Sequence, residues 1–130
     1  MACTDPNVEI YHPAVLVPSP QLFSVSGDGR GQGAILHAHT AQLASPENPA
    51  AVGDQLEIYL TRLGDASQIN PQVSIGGRMA EVLWFGNTPG YEGLNQINVR
   101  VPSGVAPGPG VPVRINYIGR PSNEVTIAVQ

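Results

Sequence analysis

Hydrophobic and polar residues alternate along most of this chain, and segments rich in Gly and Pro separate the alternating runs. In the run 56–61, three aliphatic residues alternate with Glu57, Tyr59 and Thr61. Successive side chains of an extended strand point to opposite faces, so this run predicts a strand with one buried face. The same alternation predicts strands at 96–101, 113–117 and 124–129, and weaker patterns predict strands at 8–11, 14–17, 21–25, 33–38, 72–75 and 79–85.

The segments between the predicted strands contain the residues that turns require. Gly76-Gly77 separates two short strands and suits a two-residue hairpin, because glycine adopts the positive φ values of such turns. Further turns are predicted at 27–31, 45–49, 87–90 and 106–110. No segment shows helical periodicity over two turns, and the best exception, 89–94, is long enough for one turn at most. Short strands separated by such turns predict an all-β sandwich or barrel.

Composition agrees with this fold class and excludes several functions. The 130 residues include 15 Gly and 13 Pro, which disfavours long helices. A hydrophobic content of 42% with a net charge of −4 disfavours a disordered chain. All six basic residues are scattered Arg, so no basic stripe is available for nucleic acid. No apolar run approaches the ~18 residues of a membrane span, and the N-terminus lacks a secretory signal, so we expect no membrane insertion.

Several short motifs follow one another in a characteristic order between residues 21 and 130. They are Phe23-Ser24-Val25, Gly29–Leu36, Ser45–Ala51, Leu56-Glu57-Ile58-Tyr59, Val73–Gly77, Gly93–Pro102 and Pro121–Ile127. This ordered set resembles the repeated C-terminal β domain of exported proteins of soil Acidobacteria, notably the Solibacter type. That domain is regarded as immunoglobulin-like and related to the bacterial Ig-like and IPT/TIG modules.

The resemblance implies an immunoglobulin-like β-sandwich of about 7–9 short, mostly antiparallel strands. It also implies an extracellular or cell-envelope location and an accessory, non-catalytic role. The family has no agreed catalytic or ligand-binding residues, so none is transferred to this chain. The expected division is a single domain at 21–130, preceded by a strand or linker at 1–20 that matches the tail of a preceding repeat.

Two features of the chain ends bear on self-association. The apolar strands at 7–17 and 121–130 are terminal, so one of them could pair with an open sheet edge of a neighbouring copy. Cys3 is the single cysteine and cannot form an internal disulfide, which leaves a free thiol or an intermolecular link.

Three aromatic residues with polar neighbours form the best candidate binding patch: Trp84, Phe85 and Tyr91, with Asn87 and Glu92. Aromatic rings on a loop or flat strand face can stack on sugar rings or anchor a protein interface. The alternative is that these rings fill the core. Adjacent strand residues face opposite ways, so one of Trp84 and Phe85 should be exposed or covered by another element.

Histidines provide the second candidate. His37 and His39 are two residues apart on a predicted strand, so they share a face. Both point to solvent if Ala34, Leu36 and Ala38 point inward. With His12 as a third ligand they would make a metal site, but solvated strand histidines are the simpler interpretation. The glycine run 27–33 lacks the spacing of a phosphate loop and is interpreted as a turn.

We therefore predict no catalytic residues and no cofactor. The expected function is that of a non-catalytic structural or adhesive interaction module that contacts other protein domains or copies of itself. The alternative is a carbohydrate-binding module that uses the aromatic patch to bind polysaccharide.

Overall fold

The computed structural model describes residues 19–62, 70–91 and 93–130, which form nine β-strands and no helix. The strands are β1 (Gln21–Leu22), β2 (Ile35–His37), β3 (Gln55–Thr61), β4 (Gln72–Ile75), β5 (Arg78–Asn87), β6 (Asn95–Arg100), β7 (Gly108–Tyr117), β8 (Arg120–Pro121) and β9 (Val125–Val129). All eight pairings between these strands are antiparallel. The predicted all-β class and strand number are thus confirmed. In the part of the chain described, no helix is long and apolar enough to cross a membrane.

Strand β3 shows how the alternation produces the core. Leu56, Ile58 and Leu60 are fully buried, whereas Glu57 and Tyr59 between them are half-buried on the opposite face. The strand pairs with β6 along one edge and with β1 and β2 along the other. Burial of one face in this way supplies the main free energy that holds the sheet in place.

Strand β5 connects the two layers of the sandwich. Its first residues, 78–80, pair with β4, whereas residues 81–87 pair with β6. One layer contains β1, β2, β3 and β6, and the other contains β4, β7, β8 and β9. A bulge between Val82 and Trp84 interrupts the register, and bulges bend the strand that contains them. The predicted hairpin before β5 is confirmed, since Gly76 and Gly77 have φ values of 59° and 79°.

At the far side of the sandwich, β9 joins the two layers. It pairs with β7 along one edge and forms a parallel bridge from Thr126 to Gln32 along the other. Gly33 donates its N–H to the Thr126 carbonyl at 2.8 Å, and Thr126 donates its own N–H to the Gly31 carbonyl at 2.8 Å. These bonds nearly close the sheet into a barrel.

Closure bears on the proposed pairing of terminal strands between copies. Because β9 has partners along both edges, it offers no free row of backbone groups to a neighbour. The other terminal segment, 7–17, lies outside the described residues. The expected linker at 1–20 and Cys3 also fall almost wholly outside them.

The segment before β9 ties β1 and β7 to the closure. The Asn123 side chain accepts a hydrogen bond from Leu22 N at 2.6 Å and donates to the carbonyls of Leu22 at 3.0 Å and Gly29 at 2.7 Å. Ser122 exchanges bonds with Ile115: its N–H donates to the Ile115 carbonyl, and its hydroxyl accepts from Ile115 N. The Asn123 amide therefore pairs with β1 as the backbone of an adjacent strand would.

Strands β1 and β7 differ in extent from the predicted ranges. β1 ends at Leu22 and not at residue 25, because the Ser24 hydroxyl accepts hydrogen bonds from Gly27 N and Gly29 N and starts a loop. β7 begins five residues before the predicted 113, with its prolines near a second bulge. The 89–94 segment forms a turn in its described part, where Tyr91 N donates to the Thr88 carbonyl.

Replacing Asn123 with Ala should lower the free energy of unfolding by about 2–3 kcal/mol, because three hydrogen bonds to the backbone are lost. Urea denaturation measures this change. Asn116→Ala, at an exposed position of β7, is the matched control and should stay within about 0.5 kcal/mol of the wild type. Equal effects of the two substitutions would show that the Asn123 bonds do not stabilise the fold.

Replacing Gly33 with Ala should also destabilise the protein, by about 1–3 kcal/mol. A Cβ atom there would lie 2.8 Å from Val125 Cγ2 and 3.0 Å from Ile35 Cδ1. Gly110→Ala has open space and is the control. The double variant Gly33→Ala/Val125→Ala should lose less stability than the sum of its single changes, and strict additivity in chemical denaturation would contradict the predicted clash.

Candidate functional site

The two adjacent aromatic residues of β5 point to opposite sides. Phe85 lies opposite Ile97 in the register and packs against the core, whereas Trp84 is on the outer face and 43% exposed. Tyr91 is 65% exposed beyond the end of β5. Glu92 lies outside the described residues. Asn87, at the end of β5, accepts a hydrogen bond from Asn95 Nδ2. The predicted patch thus divides into a core residue, a sheet-face residue and a loop residue.

The indole of Trp84 lies over Gly86, two residues along the same strand face. A Cβ atom at Gly86 would be 3.1 Å from Trp84 Cζ2 and 3.3 Å from Cη2. The six-membered ring therefore occupies the space that any other residue at position 86 would fill. The glycine lets the ring lie close to the strand while the ring remains open to solvent.

The strands beside β5 place polar side chains next to this ring. Two rows of outward-facing positions cross β5, β6 and β3 in order: Trp84, Asn98 and Glu57, and beside them Gly86, Gln96 and Tyr59. We call the surface formed by these six residues the Trp84 face. Its aromatic, amide and carboxylate groups are brought together by strand register alone.

Hydrogen bonds fix the polar side chains of the Trp84 face. Gln96 is only 8% exposed and donates from Nε2 to Asn98 Oδ1 at 2.8 Å. The Tyr59 hydroxyl donates to Glu57 Oε1 at 3.0 Å, and the second oxygen of Glu57 accepts from His39 N at 3.3 Å. Burial, and then the hydrogen bond and negative charge of Glu57, raise the pKa of Tyr59 above its ordinary value. These hydrogen bonds hold the polar side chains of the face in one arrangement.

A third row beside the Trp84 face consists of Glu81, Arg100 and Gln55. Arg100 Nε lies 3.3 Å from Glu81 Oε1, and the two side chains are 42% and 67% exposed. An exposed pair of this kind contributes little stability, but its two charges offset each other. Glu57 then contributes the remaining formal charge of the three rows.

The predicted placement of His37 and His39 on one face of a strand is wrong. β2 ends at His37, and His39 follows in a turn with a φ of 65°, so the two do not share a strand face. The buried residue of β2 is Ile35, so His37 lies on the inward side, half-buried, with Nε2 at 2.7 Å from the Asn48 carbonyl. His12 lies outside the described residues. Among those described, no three His, Cys, Asp or Glu side chains come together as a metal site.

The glycine run 27–33 begins as a turn that side-chain hydrogen bonds hold in place. The Asp28 carboxylate accepts a hydrogen bond from the Ser26 hydroxyl at 2.6 Å and another from Arg30 N at 3.0 Å. These two bonds, with that from Ser26 the stronger, hold the pKa of Asp28 below its ordinary value. The Asp28 carboxylate and the Ser24 hydroxyl hold the start of the run as a turn, which agrees with the turn interpretation. The carbonyls of Gly29 and Gly31 and the N–H of Gly33 bond instead to Asn123 and Thr126.

Comparison of this chain with known protein families, curated proteins and solved structures finds no match. The candidate site is therefore derived from its geometry.

The sequence indicated Trp84 but not its partners on the face. Glu57, Tyr59, Gln96 and Asn98 occupy the polar positions of two predicted strands, where a solvated sheet face is the ordinary interpretation. The useful signal was Gly86, because a glycine two residues after an exposed tryptophan in a strand leaves room for the ring.

Alkaline titration should show Tyr59 ionising above the ordinary tyrosine value of about 10. Glu57→Gln should lower this pKa, because it removes the negative charge next to the phenol. The pKa of Tyr59 is higher in the folded protein than in the unfolded chain. Its contribution to the free energy of unfolding is therefore fully present below the unfolded-state pKa, and it is lost as the pH rises through the folded-state pKa. Absorbance of the phenolate measures the titration, and the difference from Tyr59→Phe assigns it. An unchanged Tyr59 pKa in Glu57→Gln would contradict the coupling.

Proposed function

We propose that this chain is a non-catalytic interaction module of an exported protein, and that it makes contact through the Trp84 face. One observation carries the proposal: an exposed indole is held over Gly86 on a face whose polar groups are already hydrogen-bonded. A large ring fixed before binding loses little conformational entropy when a partner covers it. The partner is another protein domain, a second copy of this chain or a polysaccharide.

The ordered motifs support an accessory role. Gly33, Ser122 and Asn123 belong to the motifs that resemble the Acidobacterial immunoglobulin-like domain, and each is used in closing the fold. Motif residues that maintain a scaffold are what a repeated structural module requires. The same resemblance supports an extracellular or cell-envelope location.

Trp84→Ala should fold normally and lose the module's binding, because the truncated side chain is at the surface. Sedimentation velocity over a wide concentration range tests association between copies, and affinity electrophoresis tests polysaccharides. We expect one of the two to detect binding that Trp84→Ala removes and that Tyr91→Ala, which truncates another exposed aromatic residue, leaves unchanged. Binding in either measurement that survives Trp84→Ala would refute the proposal.

A further inference from the structure

We infer that the Trp84 face binds a neutral, hydroxyl-rich polysaccharide chain, a specific form of the interaction proposed above. The first argument is the aromatic ring. The face of an indole is electron-rich, and it attracts the weakly positive C–H groups that line one side of a sugar ring. Trp84 presents an exposed indole beside a strand, with no side chain at Gly86 to obstruct it.

The second argument is the row of polar groups that continues from the ring. Asn98 and then Glu57 follow Trp84 on successive strands, which are ~4.8 Å apart. A chain lying across the strands would meet the indole first, then an amide, then a carboxylate. This sequence of groups matches a sugar chain, which offers an apolar ring face and hydroxyls along its edges.

The third argument is the preset orientation of the amide. Asn98 Oδ1 accepts from the buried Gln96, and among the described residues no hydrogen bond uses Asn98 Nδ2. The amide therefore offers a positioned donor beside the indole. Glu57 is held in a similar way by Tyr59 and by His39 N, and a carboxylate oxygen accepts hydrogen bonds readily.

Charge determines the class of ligand. The Arg100 charge is offset by Glu81 in the row beside the face, so Glu57 leaves the surface weakly negative. An anionic polysaccharide, a nucleic acid or an acidic peptide would be repelled. The buried centre of a protein interface is depleted of charged residues, whereas here amide and carboxylate groups adjoin the ring. A neutral polysaccharide is not repelled by the charge of Glu57, and its hydroxyls suit the amide and carboxylate groups beside the ring.

The test is native affinity electrophoresis in gels containing hydroxyethylcellulose, xyloglucan or galactomannan, with polygalacturonate as the anionic comparison. We expect at least one neutral polymer to retard the full chain. Trp84→Ala should weaken that binding about tenfold or more, and Asn98→Ala several-fold. Tyr91→Ala should bind like the wild type. Since the chain has one tryptophan, its fluorescence should shift on binding and report this site directly.

Asn98→Ala guards against a trivial loss of folding. It keeps Trp84 and Gly86 and removes only the amide beside the ring, so binding should fall while the circular dichroism spectrum stays the same. The inference is overturned if no neutral polymer retards the protein, if polygalacturonate alone does, or if Trp84→Ala and Asn98→Ala bind like the wild type. Trp84-dependent association between copies without neutral polysaccharide binding would overturn this inference and leave the proposed interaction module standing.

Discussion

The backbone hydrogen bonds between β9 and the segment 31–33 are the constraint on which the rest of this structure depends. On one side of the sandwich, β5 belongs to both layers and holds them together covalently. On the other side Thr126 of β9 bonds to the backbone of Gly31 and Gly33, and the end of β9 bonds to the backbone of Ala44 and Ala50. The segment 31–33 approaches β9 closely enough for the Thr126 bonds because Gly33 has no side chain that would contact Val125. This closure leaves β9 without a free edge. It also fixes the position of the layer that contains the Trp84 face relative to the other layer.

Side chains replace backbone pairing where the strands are too short to pair fully. β1 has two residues, and its attachment to the end of the chain depends on the Asn123 amide, which bonds to both backbone groups of Leu22. These bonds are partly buried, so the loss of one leaves a backbone group of Leu22 or Gly29 with a poorer partner. At Gly86 the absence of a side chain likewise leaves room for the indole of Trp84. In both places a small or amide residue shapes the structure without performing chemistry.

Alternation predicted that Trp84 and Phe85 face opposite ways, but it did not indicate which of them is exposed. The bulge between Val82 and Trp84 shifts the register by one residue and directs the indole outward. The expectation that His37 and His39 share a strand face failed for a related reason: it required β2 to continue past His37, whereas the chain turns there. A single inserted residue, or a turn one residue earlier, changes which side chains of a strand point inward. Packing against the other strands determines which of the two orientations is adopted.

The amino-acid sequence was sufficient for the strands with clear alternation, the Gly76-Gly77 hairpin and the all-β class, because these follow from interactions between residues close together along the chain. It was not sufficient for the closure at β9, the Asn123 hydrogen bonds or the Trp84 face. Leu22 and Asn123 are 101 residues apart, and nothing local to either residue specifies the other. Likewise, Asn98 and Gln96 become neighbours of Trp84 only through the register of β6 on β5, which is selected when the two faces of the sandwich pack together.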